Sequence, residues 1–277
     1  MKLPARVALG TMHGKAAAIA PAFARLGITV VVPEGLDTDR FGTFTAEVPR
    51  AGTMEEAARA KALAAIAATG CAVGIASEGA YGPHPVIPFL AFGGELILWH
   101  DAATGHEIVE RLTDASPVYD HAEGAQISNF ERFLGRIRFP ETAVIVAPAG
   151  QREAPVAKGI TDKAALAQAI ALARSANGQA FVQTDMRAHM NPQRMEVIAR
   201  LAQKLADRLA CPCPDCGALG WGMLRPERGM PCADCGAPTQ GVRSEIHGCT
   251  LCGAEICLAR PDGLTAADPG SCAFCNP

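Results

Sequence analysis

Four C-x-x-C pairs crowd one end of this chain, at Cys213/Cys216, Cys232/Cys235, Cys249/Cys252 and Cys272/Cys275. Of the 11 cysteines, all but Cys71 lie at or beyond Cys211. Two thiolates three positions apart can turn through a tight knuckle and face one ion, and two knuckles complete a tetrahedral four-cysteine site. The 15 residues between Cys216 and Cys232 and the 19 between Cys252 and Cys272 fall in the zinc-ribbon range. Gly217, Gly236 and Gly253 each follow a second cysteine, where the knuckle needs a positive φ. The spacing therefore predicts two structural Zn²⁺ ions, each with its four positions filled by cysteine. Sequential and crossed closure of the pairs both remain open. A small ribbon buries little apolar surface, so the metal supplies most of its folding free energy. Cys211 is an alternative to Cys213 as a ligand, and His247 is one for the second site. Cys257 lies outside the paired pattern, and Cys71 reads as a small apolar filler in a strand.

A disulfide framework would need an oxidising compartment. The apolar run after Met1–Arg6 stops at Gly10, too short for a signal peptide. No segment approaches the length of a membrane span. The expectation is a cytoplasmic protein with reduced thiols. Residues 211–277 hold four Arg, no Lys and seven Asp or Glu. That acidic balance argues against nucleic acid as the module's partner, because phosphate contacts need basic side chains. A protein partner for the module is compatible with it, and so is a homodimer.

Residues 1–210 are long enough for a core and alternate between strand and helix patterns. Strands are predicted at Arg6–Gly10, Ile28–Val32, Cys71–Ala76, Glu95–Asp101, Glu107–Leu112, Ala143–Ala147 and Ala180–Gln183. Helices are predicted at Ala16–Leu26, from a Thr53/Glu56 capping box to Thr69, from a Ser128/Glu131 box to Ile137, over Asp162–Ser175, and from Asn191-Pro192 to Ala210. The fold class is α/β: a mixed central sheet flanked by helices, followed by a small tandem zinc-ribbon module over residues 211–277.

Three polar clusters fall where predicted strands end. Thr11-Met12-His13-Gly14-Lys15 joins the first strand to the first helix and suits an anion. Glu56 and Lys61 on a helix precede a strand that ends in Ser77-Glu78-Gly79-Ala80-Tyr81-Gly82, read as a glycine-bearing loop. A carboxylate at a strand's carboxyl end suits Mg²⁺. The stiff Pro83-His84-Pro85 turn follows, with His84 placed for either substrate contact or structure. In the third cluster Asp185, Arg187 and His189 alternate, so an extended backbone would point all three to one side.

Together these segments resemble the inosine-triphosphate pyrophosphatase superfamily. The similarity runs through the Thr11–Lys15 turn, the Thr53-Met54-Glu55-Glu56-Ala57-Ala58-Arg59-Ala60-Lys61-Ala62 helix and the strand and loop from Thr69 to Gly79, over about residues 7–80. The resemblance implies an inosine-triphosphatase-like fold and Mg²⁺-dependent hydrolysis of a nucleoside triphosphate, releasing pyrophosphate. It implies Lys15 and Lys61 at phosphate, Glu56 at the metal and Glu78 as loop carboxylate and water-orienting base. Asp185 is a further candidate for the metal, Thr11 and Ser77 line the phosphate end, and His13, Arg187 and His189 face phosphate or base. His13 stands where the family has Asn, Ala57 replaces the Asn of the helix motif, and the late Ser-His-Arg motif is missing. A nucleotide sensor or adaptor without turnover, docking a protein through the zinc module, is the alternative. Nucleic-acid processing is a third. The whole chain also looks like a group of bacterial proteins of unknown function, which supplies no activity.

Overall fold

A computed structural model describes residues 2–42, 50, 52–84, 87–114 and 116–277, without the side chains of 175–177. Two compact units emerge: residues 4–105 with 109–205, and residues 206–277 with 1–3 and 106–108.

The larger unit holds two sheets. The first takes strands β1 (Arg6–Leu9), β2 (Thr29–Val31), β3 (Val73–Pro83), β4 (Ala91–Asp101) and β5 (Glu107–Asp114), in the order β2-β1-β3-β4-β5. β1 runs parallel to both β2 and β3, and β3 and β4 form a long antiparallel pair. The helices α1 (Ala16–Ala24) and α2 (Met54–Thr69) connect the three parallel strands. They cover opposite faces. Phe23 of α1 stacks on Trp99, whose cross-strand partner is Ile75. Ala58 and Ala62 of α2 pack with Ala76, Leu96 and Leu98, the alternate set.

Local chemistry sets α2. Thr53 and Glu56 close a full capping box, and Gly70 ends the helix at φ 70°. Its approach to the sheet is unusually close. A Cβ on Gly10 would collide with the Lys61 carbonyl oxygen, and one on Gly74 would sit 2.6 Å from that of Ala62. Glycine on the sheet and alanine on the helix let the backbones touch, which carries Lys61 to the end of β1.

The predicted glycine-bearing loop is instead strand. β3 continues through Ser77–Gly82 to Pro83, paired residue by residue with β4. Two glycines of this pair are sites of close packing: a Cβ on Gly79 would lie 2.5 Å from Glu95 Oε1, and one on Gly93 of β4 would run into the Tyr81 ring. The residues alone end the strand at Ala76, because the β4 partners of Ser77–Gly82 lie ten or more residues further on.

The second sheet has the order β6-β9-β7-β8, all antiparallel, from β6 (His121–Gly124), β7 (Val144–Pro148), β8 (Ala157–Ile160) and β9 (Ala180–Thr184). β6 and β8 are short polar strands that pairing alone reveals. The helices α3 (Glu131–Arg136) and α4 (Lys163–Asn177) pack here, with Phe130, Phe133, Leu166, Ile170 and Val182 in one core. The Ser128/Glu131 box does not form. A 3-10 turn occupies Ile127–Phe130 and its box joins Gln126 to Asn129. Asn191 caps α5 (Pro192–Leu209) through Arg194 N–H at 3.1 Å, with proline at the first helical position.

The smaller unit carries the antiparallel strands β10 (Gly222–Arg228), β11 (Val242–Gly248) and β12 (Glu255–Ala259). Among the described residues, no helix is long and apolar enough to cross a membrane.

Candidate functional site

The cysteine knuckles form as their sequence requires. Gly217, Gly236 and Gly253 have φ of 69°, 72° and 78°, and each donates its N–H to the carbonyl of the first cysteine of its pair. Asn276 makes the same bond to Cys272. The knuckles then close crosswise. Cys213, Cys216, Cys249 and Cys252 form one cluster, and Cys232, Cys235, Cys272 and Cys275 the other. The two ribbons are therefore interleaved, not tandem. Sulfur–sulfur distances are 3.7 Å for Cys213–Cys252 and Cys235–Cys272, and 3.8 Å for Cys216–Cys249 and Cys232–Cys275. A tetrahedron with Zn–S bonds of about 2.3 Å has edges of about 3.8 Å. The donor sets fit, and the two groups could hold two structural zinc ions. Backbone N–H groups of Cys275 and Phe274 hold the Cys272 thiol down at about 7, while the neighbouring Cys235 and Cys232 sulfurs push the Cys275 thiol up to about 12.

Other residues weighed as ligands lie outside the clusters. His247 on β11 bonds Glu245 at 3.0 Å, Cys211 bonds the Asp207 carbonyl, and Cys257 is an exposed residue of β12. Cys71 is only half-buried and precedes β3. All four arginines of the module are engaged by its own groups: Arg225 with Glu255, Arg243 with Glu227, Arg260 with Asp262, and Arg228 with the Gln240 carbonyl.

The second site lies where the strand order of the first sheet reverses, between β1 and β3. Adjacent parallel strands whose connecting helices leave to opposite faces open a crevice at their carboxyl ends. Leu9 pairs with Ile75, so Thr11 and Ser77 fall at that mouth. Lys15, at the start of α1, is buried and donates from Nζ to the Ser77 carbonyl at 2.8 Å and to its hydroxyl at 3.1 Å. Lys61, also buried, pairs with Glu78 from the α2 face. Arg50 lies 3.3 Å from Glu78 and donates to the Gly79 carbonyl at 2.8 Å. Burial pulls the Lys15 amine down to about 8. The Arg194 and Lys61 charges push the same way, and Glu95 and Glu78 oppose them.

Three participants were not legible as site residues in the sequence: Arg50, Glu95 and Arg194. Arg194, on α5, is 2.5 Å from Glu95 Oε1, and the Tyr81 hydroxyl donates to the same oxygen at 3.0 Å. Burial, then the Glu95 charge, pushes the Tyr81 phenol up. Glu95 Oε2 is buried and has no hydrogen-bond partner among the described residues. The only available sequence signal was a glutamate opening the apolar Leu96–Trp99 run.

The remaining candidates are placed differently. Glu56 sits in the capping box, accepting from the Thr53 N–H at 2.7 Å and hydroxyl at 2.9 Å, and those bonds lower its pKa. Asp185 is fully buried. Its two oxygens take the Arg187 guanidinium, the Arg187 N–H and the Gly159 N–H. The Asp185–His189 segment is not extended: residues 188–190 form a 3-10 turn. His189 stacks on His13 with centroids 5.2 Å apart, and His13 bonds Asp39 at 2.9 Å. Burial first, then the neighbouring His13 and Arg187, lower the His189 pKa. Thr11 is buried and faces the His13 N–H at 3.4 Å. His84 accepts from the Ile87 N–H at 3.0 Å and meets Phe92 edge-on.

Fold and sites define an α/β protein with a buried lysine–glutamate cluster at a strand switch point and two crossed four-cysteine groups. The chain belongs to the family described as a domain of unknown function (DUF6671), which matches residues 61–277. No significant match appears among the curated proteins or among the solved structures.

Proposed function

We propose that the switch-point cluster binds a polyphosphate and that the protein hydrolyses a phosphoanhydride bond of a nucleoside triphosphate, with pyrophosphate leaving. One observation carries this reading: Lys15 and Lys61 converge from helices on opposite faces of the sheet onto consecutive residues, Ser77 and Glu78, with Arg50 alongside. Four cations, counting Arg194, face two carboxylates, Glu78 and Glu95, so the crevice carries a surplus of positive charge suited to phosphate. In the ligand-free state the two carboxylates offset only part of that positive charge. An entering polyphosphate takes over part of that role and frees Glu78 to orient water.

The donor set also suits Mg²⁺, which typically takes one or two carboxylates and completes its shell with phosphate oxygens and water. Glu78 supplies one carboxylate on the α2 face, whereas Glu95, paired across the sheet with Gly79, points to the opposite face toward Arg194 and Tyr81 and is not placed to share that ion. Bound there, Mg²⁺ would neutralise phosphate charge. Glu56 and Asp185 are less suited, the first tied to its own helix cap and the second saturated by Arg187 and Gly159. Lys15, Lys61 and Arg50 hold the phosphates, and His13 and His189 stand at the mouth. The zinc module is structural in this reading.

The second reading is a nucleotide sensor or adaptor that binds without turnover. The engagement of both Glu56 and Asp185 favours it, since each was a candidate for the metal. Pyrophosphate release from zinc-loaded protein with Mg²⁺ separates the two. Release that depends on Mg²⁺ and disappears in Glu78→Gln establishes hydrolysis. A stable nucleotide complex without release establishes sensing.

A further inference from the structure

A cleft of about 640 Å³ opens under the first turn of α2, over β4 and β5. We infer that this cleft receives the uncharged heteroaromatic base of a nucleotide whose phosphates occupy the Lys15–Lys61–Arg50 crevice. The inference rests on the polyphosphate reading above and names the class of group attached to that anion.

Strand register places the cleft next to the crevice. Glu78 and Leu96 are direct cross-strand partners, as are Ala80 and Gly94. All four therefore share the α2 face of the sheet. Leu96 and Gly94 belong to the wall of the cleft. From Glu78, the cleft begins at its cross-strand neighbour and extends two residues along the strand, a step of about 7 Å. That step leaves room for a sugar between a phosphate at Glu78 and a ring at Gly94.

The lining fits a flat ring with polar edges. Met54, Leu96 and Leu112 supply apolar surface, continuing the core that α2 makes with β3 and β4. Gly94 has no side chain to obstruct a ring laid on its backbone. At the rim Arg111 pairs with Glu55, and Arg59 lies 3.6 Å from the same carboxylate. A guanidinium and a carboxylate side by side offer a donor and an acceptor, the combination that base edges require. The lining carries no net surplus of positive charge, because its residues include two arginines, Arg59 and Arg111, and three glutamates, Glu55, Glu56 and Glu95. A second phosphate-like group is therefore not the expected occupant. The volume lies within the range of small-molecule sites.

Gly94 also supplies the test. A Cβ there would meet only the Leu112 carbonyl oxygen, at 3.5 Å, an ordinary contact. Gly94→Leu should fill the cleft without straining the strand. Calorimetry on the full zinc-loaded chain with Mg²⁺ would compare inorganic tripolyphosphate with nucleoside triphosphates. The expected result is at least a tenfold loss of affinity for nucleoside triphosphates in Gly94→Leu, with tripolyphosphate affinity changed less than twofold. Arg111→Leu, at the exposed rim, should alter the order of preference among bases and leave tripolyphosphate alone, which covers the case that Gly94→Leu fails to fold. Equal effects on both ligands, or none, in a folded variant would overturn the cleft assignment while leaving the anion site standing. Failure of the unaltered protein to bind tripolyphosphate would overturn the anion site and the inference with it.

Discussion

Lys61 of α2 and Glu78 of β3 form an ion pair buried from water on both sides, with side-chain exposures of 10% and 5%. Each charge depends on the other, because removing one partner of a buried pair leaves an uncompensated charge that costs about 3–5 kcal/mol. Glu78→Gln should therefore abolish pyrophosphate release and lower the denaturation midpoint. Adding Lys61→Met should restore much of the stability and none of the turnover. A double variant that regains activity would remove both residues from the chemistry.

Lys15 should make ligand affinity depend on pH. Its amine sits at about 8 in the fold, against about 10.5 in an unfolded chain. A phosphate ligand favours the protonated form, so affinity should fall as pH rises through about 8. Lys15→Arg, charged throughout, should flatten that dependence. For the free protein the sign reverses. Between about pH 8 and 10.5 the unfolded state binds the extra proton, so the Lys15 contribution to stability rises with pH. Titration calorimetry and chemical denaturation across pH 7–10 read the two effects separately.

Crossed closure of the knuckles makes a stoichiometric prediction. Cys213→Ser/Cys249→Ser damages a single cluster and should leave about one zinc per chain. Cys213→Ser/Cys232→Ser damages both and should leave close to none. Sequential closure would give the opposite pattern, and metal analysis of the purified variants decides between them.

Two glycines of β3 should differ sharply on gaining a methyl group. At Gly79 the new carbon would lie 2.5 Å from Glu95 Oε1 and 2.8 Å from an Arg194 guanidinium nitrogen, whereas at Gly82 nothing lies within 4 Å. Gly79→Ala should cost about 1–3 kcal/mol, as overpacking does, and Gly82→Ala should be close to neutral. Urea midpoints of the two variants test this.

Much of the short-range chemistry was legible in the chain, although the box expected at Ser128/Glu131 closes instead between Gln126 and Asn129. The knuckles need two cysteines, a turn and a residue tolerant of positive φ, all within six positions. The Thr53/Glu56 box and the Asn191-Pro192 helix start are just as local. Lys15, Ser77 and Glu78 could be singled out one by one as polar residues beside predicted strand ends, and Lys61 as a cation on a predicted helix. Their company could not be read. Glu95 looked like one acid in an apolar run until the register of β3 on β4 set it against Gly79 and α5 brought Arg194 to it. Ser77–Gly82 looked like a loop because its strand partner is distant in sequence. Which knuckle closes with which depended on how β10, β11 and β12 return the chain. Ligand spacing allows either closure equally, and only long-range packing distinguishes them.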